Sequence, residues 1–184
     1  VNPRLVPGWA DAEKVVESFD AHEDVEYTGL YFNGNGLDRA LAFKDKLTIS
    51  GSISLTASEG FTKKNLNRSH AENMAAMERH VISHLELGIP VNRIGVMAAF
   101  GCNYQGDISP ATVIKTLEDG MQIAAKTGAE ITLFSLADTM GWAAPHRIER
   151  VVGEVRNVWP DMTISLHLHD TRGLAIANAY SALK

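Results

Sequence analysis

The feature that most constrains the fold is a repeated alternation of short apolar, β-rich runs with helical patterns along the 184 residues. In the second half, successive apolar runs end at intervals of roughly 35 residues, the length of one strand, one helix and two loops. This spacing predicts βαβ units and therefore a parallel sheet in an α/β fold. We predict strands over residues 26–32, 46–53, 94–100, 130–136 and 163–168.

Helical patterns fill the intervals between the predicted strands. Ser69 and Glu72 have the spacing of a capping box, which predicts the start of a helix that reaches about residue 87. Pro110 and Pro145 suit the first turn of a helix, where a missing N–H costs least. The other predictions are helices over 11–21, 37–43, 110–126 and 145–158, a polar loop over 54–69 and an Asn-Gly-Asn-Gly turn over 33–36.

Composition and charge exclude several classes of protein. The chain is 45% hydrophobic, enough to bury a core, and its net charge is -5, from 22 acidic and 17 basic residues. No basic stripe is present, so we expect no binding to nucleic acid. No apolar stretch approaches the ~20 residues that a membrane-spanning helix needs, and no signal peptide pattern opens the chain. The single cysteine, Cys102, excludes an intramolecular disulfide and fits a reducing compartment.

The length leaves two architectures open, a small open sheet and part of a barrel. A (β/α)₈ barrel takes about 250 residues, whereas this chain supplies roughly five β/α units. The sequence also starts in a strand-to-helix loop and stops inside a helix. On the barrel interpretation, residues 1–184 form one partial domain that lacks the first strands and the last β/α unit. Its exposed strand edges would favour aggregation.

The strongest local signal is a His-x-His pair, His167 and His169. Two residues apart on a strand, their side chains point to the same face. At the carboxyl end of a parallel strand they can bind one divalent ion. A hydrogen-bonded pair of core histidines is the alternative. Asp138 ends the preceding predicted strand and is either a second site residue or a cap for the helix that follows. Asp170 is interpreted as a carboxylate that orders its loop.

Four ordered motifs carry a resemblance to a known family. They are ASEGFTKKN (57–65), GCNYQGDISP (101–110), SLADTMG (135–141) and HLHDTRGLAIANAYSAL (167–183). Together they resemble the 3-hydroxy-3-methylglutaryl-CoA lyase family of metal-dependent lyases and Claisen enzymes. The resemblance implies a TIM (β/α)₈ barrel, of which this chain holds the central five or so units. It also implies cleavage of 3-hydroxy-3-methylglutaryl-CoA to acetyl-CoA and acetoacetate, as in leucine degradation.

The resemblance further implies a role for individual residues. His167 and His169 match two histidine ligands of Mg²⁺ or Mn²⁺, and Asp138 matches an acidic residue that handles protons beside the metal. His167 and Asp138 are therefore the implied catalytic residues. The implied substrate-binding residues are Asn65, Ser135, Thr139 and Arg172. The family's remaining aspartate and asparagine ligands, catalytic arginine and catalytic cysteine are expected before the first and after the last residue of the chain.

The resemblance also implies partners, a location and alternatives. The implied partner is a small acyl-CoA substrate, the assembly a homodimer, and the location cytoplasmic, or the mitochondrial matrix in a eukaryote. Arg172 stands where family members often have tyrosine, and its guanidinium would reach a substrate carboxylate or pair with surface acids. This departure leaves open a related lyase that acts on another hydroxyacyl-CoA, such as citramalyl-CoA. An inactive fragment of such an enzyme is the third possibility.

Overall fold

The computed structural model describes residues 6–31 and 33–184, so residues 1–5 of the predicted opening loop and Phe32 lie outside the described part of the chain. The chain divides into two compact units, Val1–Ser50 and Gly51–Lys184. All strands of the sheet, and every site residue predicted from the sequence, belong to the second unit.

The regular secondary structure described in the first unit is helical apart from one isolated bridge. A 3₁₀ turn over Pro7–Trp9 precedes helix α1 (Ala12–Ser18), and helix α2 spans Gly34–Leu41. The Asn-Gly-Asn-Gly segment begins α2, so the predicted turn is wrong. Asn33 Oδ1 accepts a hydrogen bond from the Gly36 amide at 3.0 Å. This cap offsets the poor helix propensity of the two glycines, which the turn prediction weighted more heavily.

Within the first unit, the described residues of the two predicted strands form no ladder. The pairing there is one isolated parallel bridge between Thr28 and Thr48, and the last residue of the first predicted strand, Phe32, lies outside the described part. The second predicted strand, residues 46–53, begins only at Gly51. Short apolar runs of this kind show strand potential, but they become strands only where a neighbouring strand supplies hydrogen bonds.

The second unit contains a four-stranded sheet whose strands are all parallel, in the order β1-β2-β3-β4. The strands are β1 (Gly51–Thr56), β2 (Val91–Met97), β3 (Leu133–Ala137) and β4 (Thr163–His167). Neighbouring strands are joined by helical crossovers, as the spacing of the apolar runs predicts. The parallel α/β sheet is therefore confirmed.

The second unit has five described helices, and three of them start at residues that the sequence marks as helix starts. They are α3 (Glu59–Leu66), α4 (His70–Glu86), α5 (Pro110–Thr127), α6 (Pro145–Val158) and α7 (Ala175–Ser181). Ser69 and Glu72 form the predicted capping box at the start of α4, and Pro110 and Pro145 occupy first-turn positions. Within residues 6–31 and 33–184, no helix has both the length and the apolar character needed to cross a bilayer.

Two sequence predictions in this unit are wrong. The predicted polar loop over 54–69 contains the end of β1 and the whole of α3, which Ser58 caps by accepting a hydrogen bond from the Phe61 amide at 3.2 Å. Only Phe61 and Thr62 of α3 are buried, so its sequence lacks a helical apolar stripe. The strand predicted over 94–100 instead covers Val91–Met97, because Ala98 takes a left-handed φ of 55° that ends the extended backbone.

The core lies between one face of the sheet and helices α4, α5 and α6. Alternate strand residues face these helices and are fully buried, namely Ile53, Leu55, Ile94, Val96, Phe134 and Leu136. The opposite face carries small side chains in register, with Ser54 beside Gly95, Gly95 beside Ser135 and Ser135 beside Ser165. This alternation places Ser135 and His167 on the same face of the sheet.

Candidate active site

His167 and His169 come together at the carboxyl end of β4. Their Nε2 atoms are 3.1 Å apart, their ring centroids are 5.1 Å apart, and both side chains are exposed. The alternative was a hydrogen-bonded pair of core histidines; the two nitrogens are within hydrogen-bonding distance, but neither residue is buried in this chain. Two ligand atoms in adjacent positions of an octahedral ion, with bonds of about 2.1 Å, lie about 3.0 Å apart. The two nitrogens therefore fit adjacent positions on one divalent cation.

The described residues supply a pair of side-chain nitrogens rather than a complete coordination shell. Within residues 6–31 and 33–184, no group of three or more His, Cys, Asp or Glu side chains has an arrangement that could hold a metal ion. Hard cations such as Mg²⁺ and Mn²⁺ prefer oxygen ligands, so the two histidines are a partial set that would hold such an ion only together with oxygen ligands.

Asp138 is a buried carboxylate at the end of β3, next to the end of β4. Its backbone N–H donates to the His167 carbonyl at 2.8 Å, which joins the two strand ends. Its Oδ1 accepts hydrogen bonds from the amides of Trp142 at 2.7 Å and Ala143 at 2.9 Å. Its Oδ2 is buried without a hydrogen-bond partner among the described residues. Such orphaned buried oxygens are uncommon and call for a functional explanation.

The alternative role of Asp138 as a helix cap is wrong. The N-cap of α6 is Ala144, with no side-chain cap. Asp138 instead binds the two amides that precede this helix, so it orders the loop after β3. Asp170 has a comparable role after β4, where its Oδ1 accepts from the Ala175 amide at 2.9 Å. The interpretation of Asp170 as a loop-ordering carboxylate is confirmed.

The four residues expected to bind substrate occupy different settings. Ser135 is half-buried on the face of β3 that His167 shares. Asn65 is exposed on α3, and within residues 6–31 and 33–184 it makes no hydrogen bond to the other three. The Thr139 hydroxyl oxygen accepts from the Ala98 amide at 2.9 Å. Arg172 donates from Nη2 to the Ala143 carbonyl at 2.7 Å, and that contact is neither of the two expected from the sequence.

Contacts between the loops after β2 and β3 surround the site, and sequence reasoning missed them. Trp142 Nε1 donates to Asn103 Oδ1 at 2.7 Å, and a Cβ built on Gly101 would lie 2.7 Å from the Trp142 side chain. Cys102 beneath them is buried, and the Ser58 hydroxyl donates to its Sγ at 3.0 Å. The only sequence signal for this packing is Gly101, whose φ of 148° and close approach to an indole exclude a side chain.

Comparisons with known proteins agree with this geometry. The HMGL-like family matches residues 11–184. The hydroxymethylglutaryl-CoA lyase YngG of Bacillus subtilis is 31% identical over 184 residues, covering 100% of this chain and 58% of that protein. The (R)-citramalyl-CoA lyase of Chloroflexus aurantiacus is 30% identical over 192 residues, covering 99% of this chain and 57% of that protein.

The fold comparison extends the match to three dimensions. The crystal structure of the Bacillus subtilis HMG-CoA lyase superposes with a TM-score of 0.84 at 31% identity, covering 100% of this chain and 58% of that one. The present chain thus spans little more than half the length of the relatives it matches, and its parallel α/β sheet is part of their TIM barrel. With the family match over residues 11–184, the chain belongs to the HMGL-like family.

Proposed function

We propose that the protein containing this chain is a divalent-metal-dependent carbon–carbon lyase that cleaves 3-hydroxy-3-methylglutaryl-CoA to acetyl-CoA and acetoacetate. One observation carries the proposal. Two exposed imidazoles with Nε2 atoms 3.1 Å apart lie at the end of β4, and the backbone of His167 is hydrogen-bonded to that of Asp138, a buried carboxylate whose Oδ2 has no partner among the described residues. The two relatives described above, both named as lyases of hydroxyacyl-CoA thioesters, support the substrate class.

His167 and His169 are the residues that would hold the cation, which we propose to be Mg²⁺ or Mn²⁺. Two neutral imidazoles leave the full charge on the ion, and a bound cation of this kind supplies Lewis-acid stabilisation to the hydroxyl and carbonyl oxygens of the substrate. The further oxygen ligands expected for such an ion match no residue of this chain. The histidines therefore account for part of the site.

The reaction needs a base for the tertiary hydroxyl of the substrate. The bond between C2 and C3 breaks as the hydroxyl proton leaves, C3 becomes the ketone carbon of acetoacetate, and the electron pair passes to C2 of acetyl-CoA, which then takes up a proton. We assign the removal of the hydroxyl proton to Asp138 Oδ2, assisted by His167, because this oxygen is free to accept while Oδ1 is held by two amides. General-base catalysis of this kind contributes typically ~10²–10⁴-fold.

The substrate contacts proposed for this chain are Asn65, Ser135 and Thr139, carried over from the family resemblance, whereas the fourth implied residue, Arg172, binds the Ala143 carbonyl. Ser135 is the member placed on the same sheet face as His167. Thr139 already accepts a hydrogen bond from Ala98, but its hydroxyl hydrogen remains available to a substrate oxygen. Acyl-CoA is the proposed partner, in a homodimer located in the cytoplasm, or in the mitochondrial matrix of a eukaryote.

The test is metal binding and turnover in a matched pair of histidine variants. His169→Ala is expected to weaken Mn²⁺ binding by at least tenfold and to abolish metal-dependent release of acetyl-CoA. Mn²⁺ binding is measured by the electron paramagnetic resonance signal of the free ion. His146→Ala, at another exposed histidine, is the control and should match the unmodified protein. Unchanged Mn²⁺ affinity in His169→Ala would refute the ligand assignment, and retained turnover would refute the mechanism.

A second candidate substrate is favoured by the citramalyl-CoA lyase relative, which is 30% identical over nearly the whole chain. Citramalyl-CoA lacks one methylene between its carboxylate and the carbon bearing the hydroxyl. The ratio of kcat/KM for the two thioesters decides between them, since each missing methylene changes binding by about 1–3 kcal/mol. A protein that binds Mn²⁺ but cleaves neither thioester would instead be the inactive fragment.

A further inference from the structure

The backbone of Ala143 is bound by an anion on one side and a cation on the other. Its N–H donates to Asp138 Oδ1 at 2.9 Å, and its carbonyl, in the next peptide unit, accepts from Arg172 Nη2 at 2.7 Å. Asn178, which is fully buried, adds a weaker bond from Nδ2 to the same carbonyl at 3.3 Å. Ala143 is 1% exposed. Asp138 and Arg172 thus hold the two ends of one buried residue.

Each of these two hydrogen bonds has one charged partner. The guanidinium of Arg172 donates to the Ala143 carbonyl, the carboxylate of Asp138 accepts from the Ala143 N–H, and bonds of this kind are stronger than those between neutral groups. The Cα of Ala143 separates the two peptide units, so the coupling between Arg172 and Asp138 is mechanical. Loss of either bond frees the backbone that the other bond holds.

The loop after β4 holds the part of the loop after β3 that contains Ala143. The loop after β3 turns at Gly141, whose φ is 68°, and a Cβ built there would lie 2.7 Å from Thr171 Oγ1. Thr171 and Arg172 are adjacent, so the loop after β4 holds the loop after β3 at two points. The loop after β3 carries the amides of Trp142 and Ala143 that fix the carboxylate of Asp138.

We propose that Arg172 is a positioning residue that acts on Asp138 through the backbone of Ala143. By holding the Ala143 carbonyl, it keeps the Ala143 N–H on Asp138 Oδ1, and Oδ2 is left as the carboxylate oxygen without a described partner. This inference rests on the proposed function only for the role of Oδ2, since the hydrogen-bonded chain itself exists without substrate. It assigns to Arg172 a task other than the substrate contact carried over from the family resemblance.

The test uses three variants of the purified protein. Arg172→Met removes the donors and the charge but keeps an unbranched side chain, and Arg172→Lys keeps the charge and one donor to the carbonyl. Arg156→Met is the control, at an exposed arginine in the last turn of α6. The first readout is amide hydrogen exchange at Trp142 and Ala143, measured by NMR. We expect roughly tenfold faster exchange in Arg172→Met, from the loss of one charge-assisted hydrogen bond, with partial recovery in Arg172→Lys.

The second readout separates positioning from substrate binding. In Arg172→Met, kcat is expected to fall about tenfold while KM stays within about twofold, because the lost contact is made to the enzyme and not to the substrate. A raised KM with unchanged kcat would overturn the positioning role. Unchanged exchange at Trp142 and Ala143 would overturn it whether or not the protein turns over substrate. Absence of thioester cleavage in the unmodified protein, with the exchange effect intact, refutes the proposed function alone.

Discussion

Replacement of Asp138 separates its structural role from its chemical role. Asp138→Ala removes the acceptor of two amide hydrogen bonds, from Trp142 at 2.7 Å and Ala143 at 2.9 Å. Ala143 is 1% exposed, so its amide cannot bind water instead, and loss of this hydrogen bond is expected to cost ~2 kcal/mol. Trp142 is half-buried, so its amide can bind water, and loss of its hydrogen bond is expected to cost ~1 kcal/mol. The free energy of unfolding should therefore fall by about 3 kcal/mol in Asp138→Ala.

Asp138→Asn is the matched variant, because it keeps Oδ1 and changes only the group at the position of Oδ2. It should lose less than about 1 kcal/mol of unfolding free energy, since both amides keep their acceptor. Thioester cleavage should nevertheless fall by ~10²–10⁴-fold in both variants, because neither retains a carboxylate base.

The assay is urea unfolding followed by circular dichroism, with the free energy obtained by linear extrapolation. Asp138→Ala should also melt about 6–12 °C below the unmodified protein, because a loss of about 3 kcal/mol lowers the melting temperature by about that much in a domain of this size. If Asp138→Asn is as unstable as Asp138→Ala, charge and not the acceptor geometry stabilises the loop. If Asp138→Ala unfolds like the unmodified protein, the two amide hydrogen bonds contribute nothing and the reasoning is refuted.

Three further predictions concern residues near the site and in the core. Thr139→Val leaves the buried amide of Ala98 without its acceptor and should cost about 1–3 kcal/mol in urea unfolding, whereas Thr139→Ser should restore the loss. Gly141→Ala forces a side chain onto a φ of 68° and should lower the melting temperature, with an unchanged melting temperature contradicting the strain. Burial, with a smaller effect of the neighbouring His84, lowers the pKa of His80 to about 4. Because the unfolded chain then binds the proton more readily, stability should fall by about 1 kcal/mol, after allowance for solvent screening, as the pH drops from about 6.5 to 4. His80→Gln should flatten that part of the pH profile, and an unaltered slope would show that another group causes it.

The architecture of the second unit follows from local sequence patterns. Alternating apolar runs and helical segments predict a parallel sheet, because two neighbouring parallel strands must be joined by a crossover, which is usually a helix. Ser69 with Glu72, Pro110 and Pro145 mark helix starts by hydrogen-bonding and steric rules that act within one turn. The side-chain period of a strand likewise brings His167 and His169 to one face, and the structure places their Nε2 atoms 3.1 Å apart.

Element boundaries that depend on packing were not predictable in this way. Helix α3 has only two buried residues, so no apolar period announces it within the polar segment. The end of β2 is set by the left-handed backbone of Ala98, whose amide is held by Thr139 from a loop one β/α unit later. An alanine in a left-handed conformation costs about 1 kcal/mol or more, and only the contacts of the folded chain make it favourable.

The side chains at the strand ends, two imidazoles and a carboxylate at one edge of a parallel sheet, could be located from the amino-acid sequence alone. The role of each oxygen of Asp138 depends on the tertiary structure, which fixes Oδ1 on the amides of Trp142 and Ala143 and leaves Oδ2 without a described partner. The tertiary structure also brings Arg172 to the Ala143 carbonyl, a contact between residues far apart in the chain. Local rules act over one helical turn or one strand, whereas the orientation of a catalytic group depends on loops brought together by the packed sheet.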